Sequence, residues 1–146
     1  MKRKILITDP LSDKGLSMLK DAGFDVLYQP NCEESKKNIN EIDGWIIRSG
    51  TKIDKNDINI AKKLQIIGRA GVGVDNIDIK EATSNGIVVM NVPDGNTVSA
   101  AEHTIAMLLS LSRNIQLGHS TLTKGKWDRN KLTGSELRGK ILGVVG

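Results

Sequence analysis

Arg48-Ser49-Gly50-Thr51-Lys52 sets a forked guanidinium beside a hydroxyl and a glycine, a combination suited to gripping a carboxylate or a phosphate. A surface arginine beside a polar turn is the structural alternative. In Gly68-Arg69-Ala70-Gly71-Val72-Gly73-Val74-Asp75-Asn76-Ile77-Asp78, closely spaced glycines let bare backbone amides approach an anion. The spacing differs from that of a Gly-x-Gly-x-x-Gly dinucleotide loop, and a tight turn into a helix capped by Asp78 accounts for it equally well. Asn91-Val92-Pro93-Asp94-Gly95-Asn96-Thr97 stands ahead of a long helical pattern, where free amides and the positive end of the helix dipole collect. Asn96 both donates and accepts, so it suits a hydroxyl or oxo group; helix capping by Asn96 and Thr97 is the other reading. The closing Gly139-Lys140-Ile141-Leu142-Gly143-Val144-Val145-Gly146 reads as a buried strand, Ile141 to Val145, running into a glycine where a dinucleotide loop begins. An ordinary core strand ending at a glycine fits the same residues.

Other chemistry is thinly represented. His103 lies in the long helix beside Glu102 with nothing to orient it as a base, and reads as a packed or interface residue; His119 reads as solvent-exposed. Neither belongs to a metal-ligand pattern. The single cysteine, Cys32, excludes an internal disulfide and has no histidine or carboxylate cluster to make it a nucleophile.

These loops must be held by something regular. Short apolar runs recur at Ile5 to Thr8, Phe24 to Tyr28, Trp45 to Ile47, Leu64 to Ile67 and Ile87 to Met90, and again at Ile141 to Val145. Helical stretches at Ser12 to Ala22, Glu33 to Asn40, Lys55 to Lys63 and Ile79 to Asn85 separate the first five, giving β-α-β alternation. Gly23 and Asn85-Gly86 stand where left-handed caps are needed. Successive apolar residues in Trp45-Ile46-Ile47 and Ile87-Val88-Val89-Met90 predict a parallel sheet covered by helices on both faces. Ligands of such sheets gather at the carboxyl ends of the strands, which is where the first three segments fall. From Val98 to Ser112 the period becomes helical over about four turns, and Ser99 with Glu102 offers a capping box that competes with Asn96 and Thr97 for the helix start. A domain boundary is expected near Val92 to Thr97.

With 146 residues, 38% hydrophobic and 26% charged, the composition predicts a soluble globular protein with a proper core. The net charge of +4 is mild, and lysines scattered in pairs such as Lys36-Lys37 and Lys62-Lys63, with few aromatics, argue against nucleic acid as a partner. Met1-Lys2-Arg3-Lys4 precedes an apolar run too short for an export or membrane segment, so no membrane partner and a cytoplasmic location are expected.

Taken together, Arg-Ser-Gly-Thr-Lys, Gly-Arg-Ala-Gly-Val-Gly-Val-Asp-Asn-Ile-Asp, Asn-Val-Pro-Asp-Gly-Asn-Thr-Val-Ser-Ala-Ala-Glu-His and Gly-Lys-Trp-Asp-Arg resemble the amino-terminal part of the D-isomer-specific 2-hydroxyacid dehydrogenases, from Lys4 to Gly146. The resemblance implies an α/β fold. Residues 1–95 would form a flavodoxin-like parallel-sheet substrate domain, and residues 96–146 a linking long helix and the first strand of a Rossmann NAD-binding domain. By position, Arg48 and Ser49 would bind the substrate's anionic end, and the Val72 and Gly73 amides its carboxylate. Asn96 would face the reacting region, while Val72, Thr97, Ala100 and Gly146 would lie against the cofactor, NAD. The family's catalytic histidine, glutamate and arginine fall in later segments, so the chain alone is expected to be inactive and His103 does not take that role.

Arg48 with Lys52 points to a phosphorylated 2-hydroxy or 2-oxo acid, such as 3-phosphoglycerate at the entry to serine synthesis. Members acting on glycerate, glyoxylate or hydroxypyruvate, and a non-catalytic corepressor or binding module of the same fold, remain open. The resemblance implies a homo-oligomer for a full-length protein. A signalling receiver of flavodoxin-like fold is disfavoured, because the third strand ends in Arg48 and the first is followed by one acidic residue, Asp9.

Overall fold

The computed structural model describes residues 2–30, 36–37 and 39–145. Cys32, half of the helix expected over residues 33–40, and Gly146 lie outside the described residues. Five strands, β1 (Lys4–Ile7), β2 (Asp25–Tyr28), β3 (Gly44–Ile47), β4 (Ile66–Arg69) and β5 (Val88–Met90), form one all-parallel sheet in the order β2-β1-β3-β4-β5. This is the flavodoxin-like order, which reverses direction beside β1.

The connecting helices α1 (Asp13–Asp21), α2 (Lys55–Ile60) and α3 (Ile79–Ser84) begin where the sequence supplies caps. Ser12 Oγ accepts from Gly15 N, Asp78 Oδ1 accepts from Glu81 N, and Asp54 and Asp57 cap α2 reciprocally, each side chain accepting from the other's backbone N–H. Past α1 and α3 the backbone turns left-handed at Gly23 (φ 86°) and Gly86 (φ 69°), a conformation that costs a glycine nothing. α2 stops at Ile60, short of the expected Lys63. A turn there, with Leu64 N donating to Ala61 O, drops Leu64 into the core, so β4 begins two residues after Leu64, at Ile66.

The core sits on one face of the sheet. The aligned row Leu6, Leu27, Trp45, Ile67 and Val89 packs with Ile47 against Ile39, Ile42, Ile53, Ile58, Ala61, Leu64, Ile77 and Ala82. The Trp45 indole is fully buried, and its N–H is satisfied by Thr8 Oγ1 at 3.0 Å. The other face departs from expectation. Reversal of strand order at β1 sends the crossover α1 to that side, and Ile5 and Ile7 are buried there, yet Val88 and Met90 are each 56% exposed. Coverage on both faces therefore fails toward β5.

By contact clustering the chain divides into residues 1–96 and 97–146. The second unit holds α4 (Thr97–Ser112) and α5 (Ile115–Leu122), joined at Asn114, which adopts the left-handed region (φ 54°) and donates from Nδ2 to Thr133 O. α4 thus begins at Thr97, not at the later capping box of Ser99 and Glu102. None of the described residues in this unit is buried. The strand expected over Ile141 to Val145 is not formed: a parallel strand needs a neighbour to complete its ladder, none of the described residues provides one, and Ile141 and Val145 are fully exposed.

Candidate functional site

Chain exits from β3, β4 and β5 are tied to one another at the carboxyl end of the sheet. Ala70 N donates to Ile47 O at 2.8 Å, joining the β4 exit to the end of β3, and Val92 N donates to Gly71 O at 2.9 Å, joining β5 to β4. The Asn91 amide adds a bond to Val72 O at 2.7 Å. Below them, Thr51 Oγ1 donates to Thr8 Oγ1 at 2.9 Å, so the indole N–H of Trp45 and the loop after β3 share one buried hydroxyl. Loops anchored this way keep a shape before any ligand arrives, which lowers the entropic cost of binding.

Between these exits lies a hollow of about 410 Å³ lined by Arg48, Ser49, Arg69, Ala70, Gly71, Val92, Gly95 and Asn96. Arg48, Ser49 and Asn96 are therefore brought to one place. Val72 and Gly73 are not among its lining residues; they follow Gly71 on an exposed bend, where their amides donate to no described residue. Lys52, read from the sequence as the second cation, does not line the hollow either. Its carbonyl instead accepts from Lys36 Nζ at 2.9 Å.

The second cation is Arg69. Its partner across the β3–β4 ladder is Ile47, the residue before Arg48, so the two guanidiniums start from adjacent strand ends. Arg69 is half-buried, and its Nε is buried with no hydrogen-bond partner among the described residues. A buried guanidinium nitrogen left unpaired is costly, and an anion in the hollow would offset that cost. A side chain at position 71 would strike the Arg69 guanidinium, so the glycine there leaves the cation its place. Within its own segment Arg69 is inconspicuous among the glycines. The available signal was its position as the last residue of a strand whose neighbour ends beside another arginine.

Thr97 and Ala100 lie exposed in the first turn of α4, with Thr104 Oγ1 donating to Ala100 O. His103 is exposed on the same helix, so it is not packed within this chain, and His119 is exposed on α5. A separate hollow of about 450 Å³ in the second unit is lined by Leu122, Trp127 and Leu132 with Lys126, Asp128 and Arg129 among others, and contains no histidine or cysteine. Among the described residues no three His, Cys, Asp or Glu side chains are grouped to hold a metal. No helix among the described residues is long and apolar enough to cross a membrane. A dinucleotide cradle needs a strand, a glycine turn and a helix end. Residues 139–145 are irregular and exposed, so the described residues do not by themselves fit NAD, and no chemical step is derived through it.

A parallel sheet of flavodoxin-like order carries two arginines and an asparagine around one hollow at its carboxyl end, an arrangement suited to an anion. The pattern of the D-isomer specific 2-hydroxyacid dehydrogenase catalytic domain matches residues 5–136, and the chain belongs to that family. It is 47% identical over 146 residues to D-3-phosphoglycerate dehydrogenase of Sus scrofa, a match covering 99% of this chain and 27% of that protein. The chain thus spans about a quarter of the length of this relative. The TT0316 protein from Thermus thermophilus superposes with a TM-score of 0.84 at 29% identity, over 93% of this chain and 46% of that one. NAD+-bound 3-phosphoglycerate dehydrogenase of Entamoeba histolytica does so with 0.69 at 34% identity, over 77% and 40%.

Proposed function

We propose that this chain is the substrate-gripping part of an NAD-dependent D-3-phosphoglycerate dehydrogenase, which oxidises 3-phosphoglycerate to 3-phosphohydroxypyruvate in the cytoplasm. The observation that carries this reading is the pair Arg48 and Arg69 lining one hollow with Asn96. A simple 2-hydroxy acid carries one anionic group, whereas 3-phosphoglycerate carries a carboxylate and a phosphate, and two forked cations in one hollow suit two anions. Arg48 with Ser49 takes the phosphate end. Arg69, with the exposed Val72 and Gly73 amides that follow Gly71 beyond the hollow's lining, takes the carboxylate, and Asn96 takes the neighbouring oxygen. In this reading Val72, Thr97, Ala100 and Gly146 lie near the nicotinamide cofactor, residues 1–95 are the substrate domain, and the full-length protein is a homo-oligomer.

The oxidation itself needs a base to take the hydroxyl proton and a cofactor to take the hydride. Among the described residues no carboxylate pairs with the exposed His103 or His119 to orient it as such a base, and in this reading the chain by itself binds the acid and turns nothing over. Isothermal titration of the chain with 3-phosphoglycerate and with D-glycerate tests the reading. Tighter binding of the phosphorylated acid, with no NADH formed when NAD is added, is expected. Equal affinity for the two acids, or NADH production by the pure chain, would sink it.

A further inference from the structure

We propose that Asp9 and Asn76 act as positioning residues, a two-sided clamp that sets Arg48 and Ser49 in the orientation that grips the phosphate. The inference rests on the functional reading above and adds to it what holds the phosphate-binding loop in place. Asp9 follows β1 and is 4% exposed. Its Oδ2 accepts from Arg48 N at 2.7 Å and from Thr51 N at 3.1 Å. Asn76, in the turn before α3, donates from Nδ2 to the carbonyls of the same two residues, Arg48 O at 2.7 Å and Thr51 O at 2.5 Å. Both partners of Asn76 are carbonyl oxygens, so the amide orientation is fixed by chemistry: only its nitrogen can donate to them.

The consequence is geometric. Arg48 and Thr51 are each fixed at N–H by one side chain and at C=O by the other, from opposite sides of the sheet's carboxyl edge, and Ser49 and Gly50 span the interval. The other carboxylate oxygen, Asp9 Oδ1, occupies the space a side chain at position 50 would need, which accounts for Gly50 without invoking a special backbone angle. A loop of exposed polar residues has few apolar contacts to hold it, so these four hydrogen bonds, with that of Thr51 Oγ1 to Thr8 Oγ1, supply its order.

The test has two readouts on the 146-residue chain. Amide hydrogen exchange followed by NMR reports the clamp directly. Asp9→Ala should speed exchange at Arg48 and Thr51 by about tenfold or more, while Ile67 in the core stays protected. Unchanged exchange at both amides would overturn the clamp whatever the ligand does. The second readout is the ratio of Kd for D-glycerate to Kd for 3-phosphoglycerate. Asp9→Ala should lower this ratio to that of Arg48→Ala, and adding Asp9→Ala to Arg48→Ala should lower it no further. Equal losses for both acids, or additive losses in the double variant, would reduce Asp9 to a structural role and overturn the proposal. Should the unaltered chain show no preference between the acids, the functional reading fails, and the exchange data still decide the clamp. Asn76→Ala, at a half-buried position, carries the same Kd comparison if Asp9→Ala does not fold, and Asp9→Asn, which keeps one acceptor oxygen, should restore most of the exchange protection.

Discussion

The Asn91 side-chain amide donates to the Val72 carbonyl at 2.7 Å, so the residue after β5 holds the bend that carries the free amides of Val72 and Gly73. With Val92 N on Gly71 O, it makes the glycine segment after β4 a fixed loop despite its lack of side chains. Replacing Asn91 by Ala removes one net hydrogen bond, worth about 1 kcal/mol, and should weaken 3-phosphoglycerate binding roughly fivefold. Isothermal titration measures the loss. An unchanged Kd would separate Val72 from the binding surface.

Arg69 and Gly71 form a second coupled pair. A methyl at position 71 meets the flexible end of Arg69, so Gly71→Ala should fold normally while displacing the guanidinium. We expect Gly71→Ala and Arg69→Ala each to weaken phosphate-bearing ligands by about tenfold, with the double variant no worse than Arg69→Ala alone. Additive losses in that cycle would show that Gly71 acts on something other than Arg69.

Much of this was legible in the chain. Successive apolar residues at Trp45-Ile46-Ile47 and the cap at Asp78 stand where local chemistry decides the outcome, and a strand and a helix start follow them. Arg48, Ser49 and Asn96 were readable because residues just after parallel strands converge at one edge. Arg69 was not, since its prominence comes from register with β3, a relation between distant segments. The strand expected over Ile141 to Val145 shows the same limit from the other side: apolar β-branched residues favour a strand only when a neighbouring strand completes its hydrogen bonds. Lys52, read together with Arg48 from the sequence, is not among the residues that line the hollow.

The uneven covering of the sheet predicts uneven mutational costs. Ile67 is fully buried in the core face, and Ile67→Ala should cost about 2–5 kcal/mol. Val88, its neighbour on the other face of the β4–β5 pair, is 56% exposed, and Val88→Ala should stay within about 0.5 kcal/mol. Urea unfolding of the two variants gives the comparison. Similar costs would mean that the face at β5 is covered in solution.

Asp54 gives a pH signature. The Asp57 backbone N–H, donated to its carboxylate, holds the Asp54 pKa below its ordinary value of 3.8. A carboxyl whose folded value is depressed stabilises the fold above its unfolded value, and that contribution disappears as pH falls through the lower folded value. The start of α2 should therefore hold at pH 4 and above and loosen only under more acidic conditions. NMR titration of the Asp54 carboxyl should show a midpoint under 3.8, and Asp54→Asn should abolish this part of the acid dependence; a midpoint at or above 3.8 would contradict the cap.

The most direct measurement is a backbone and arginine side-chain NMR titration of the chain with 3-phosphoglycerate. The account predicts saturable shifts at Arg48, Ser49, Arg69, Val72, Gly73 and Asn96, with the Arg69 Nε–H moving as its unpaired nitrogen gains a partner. Shifts confined to other residues, or an Arg69 Nε–H that does not respond while binding saturates, would contradict it.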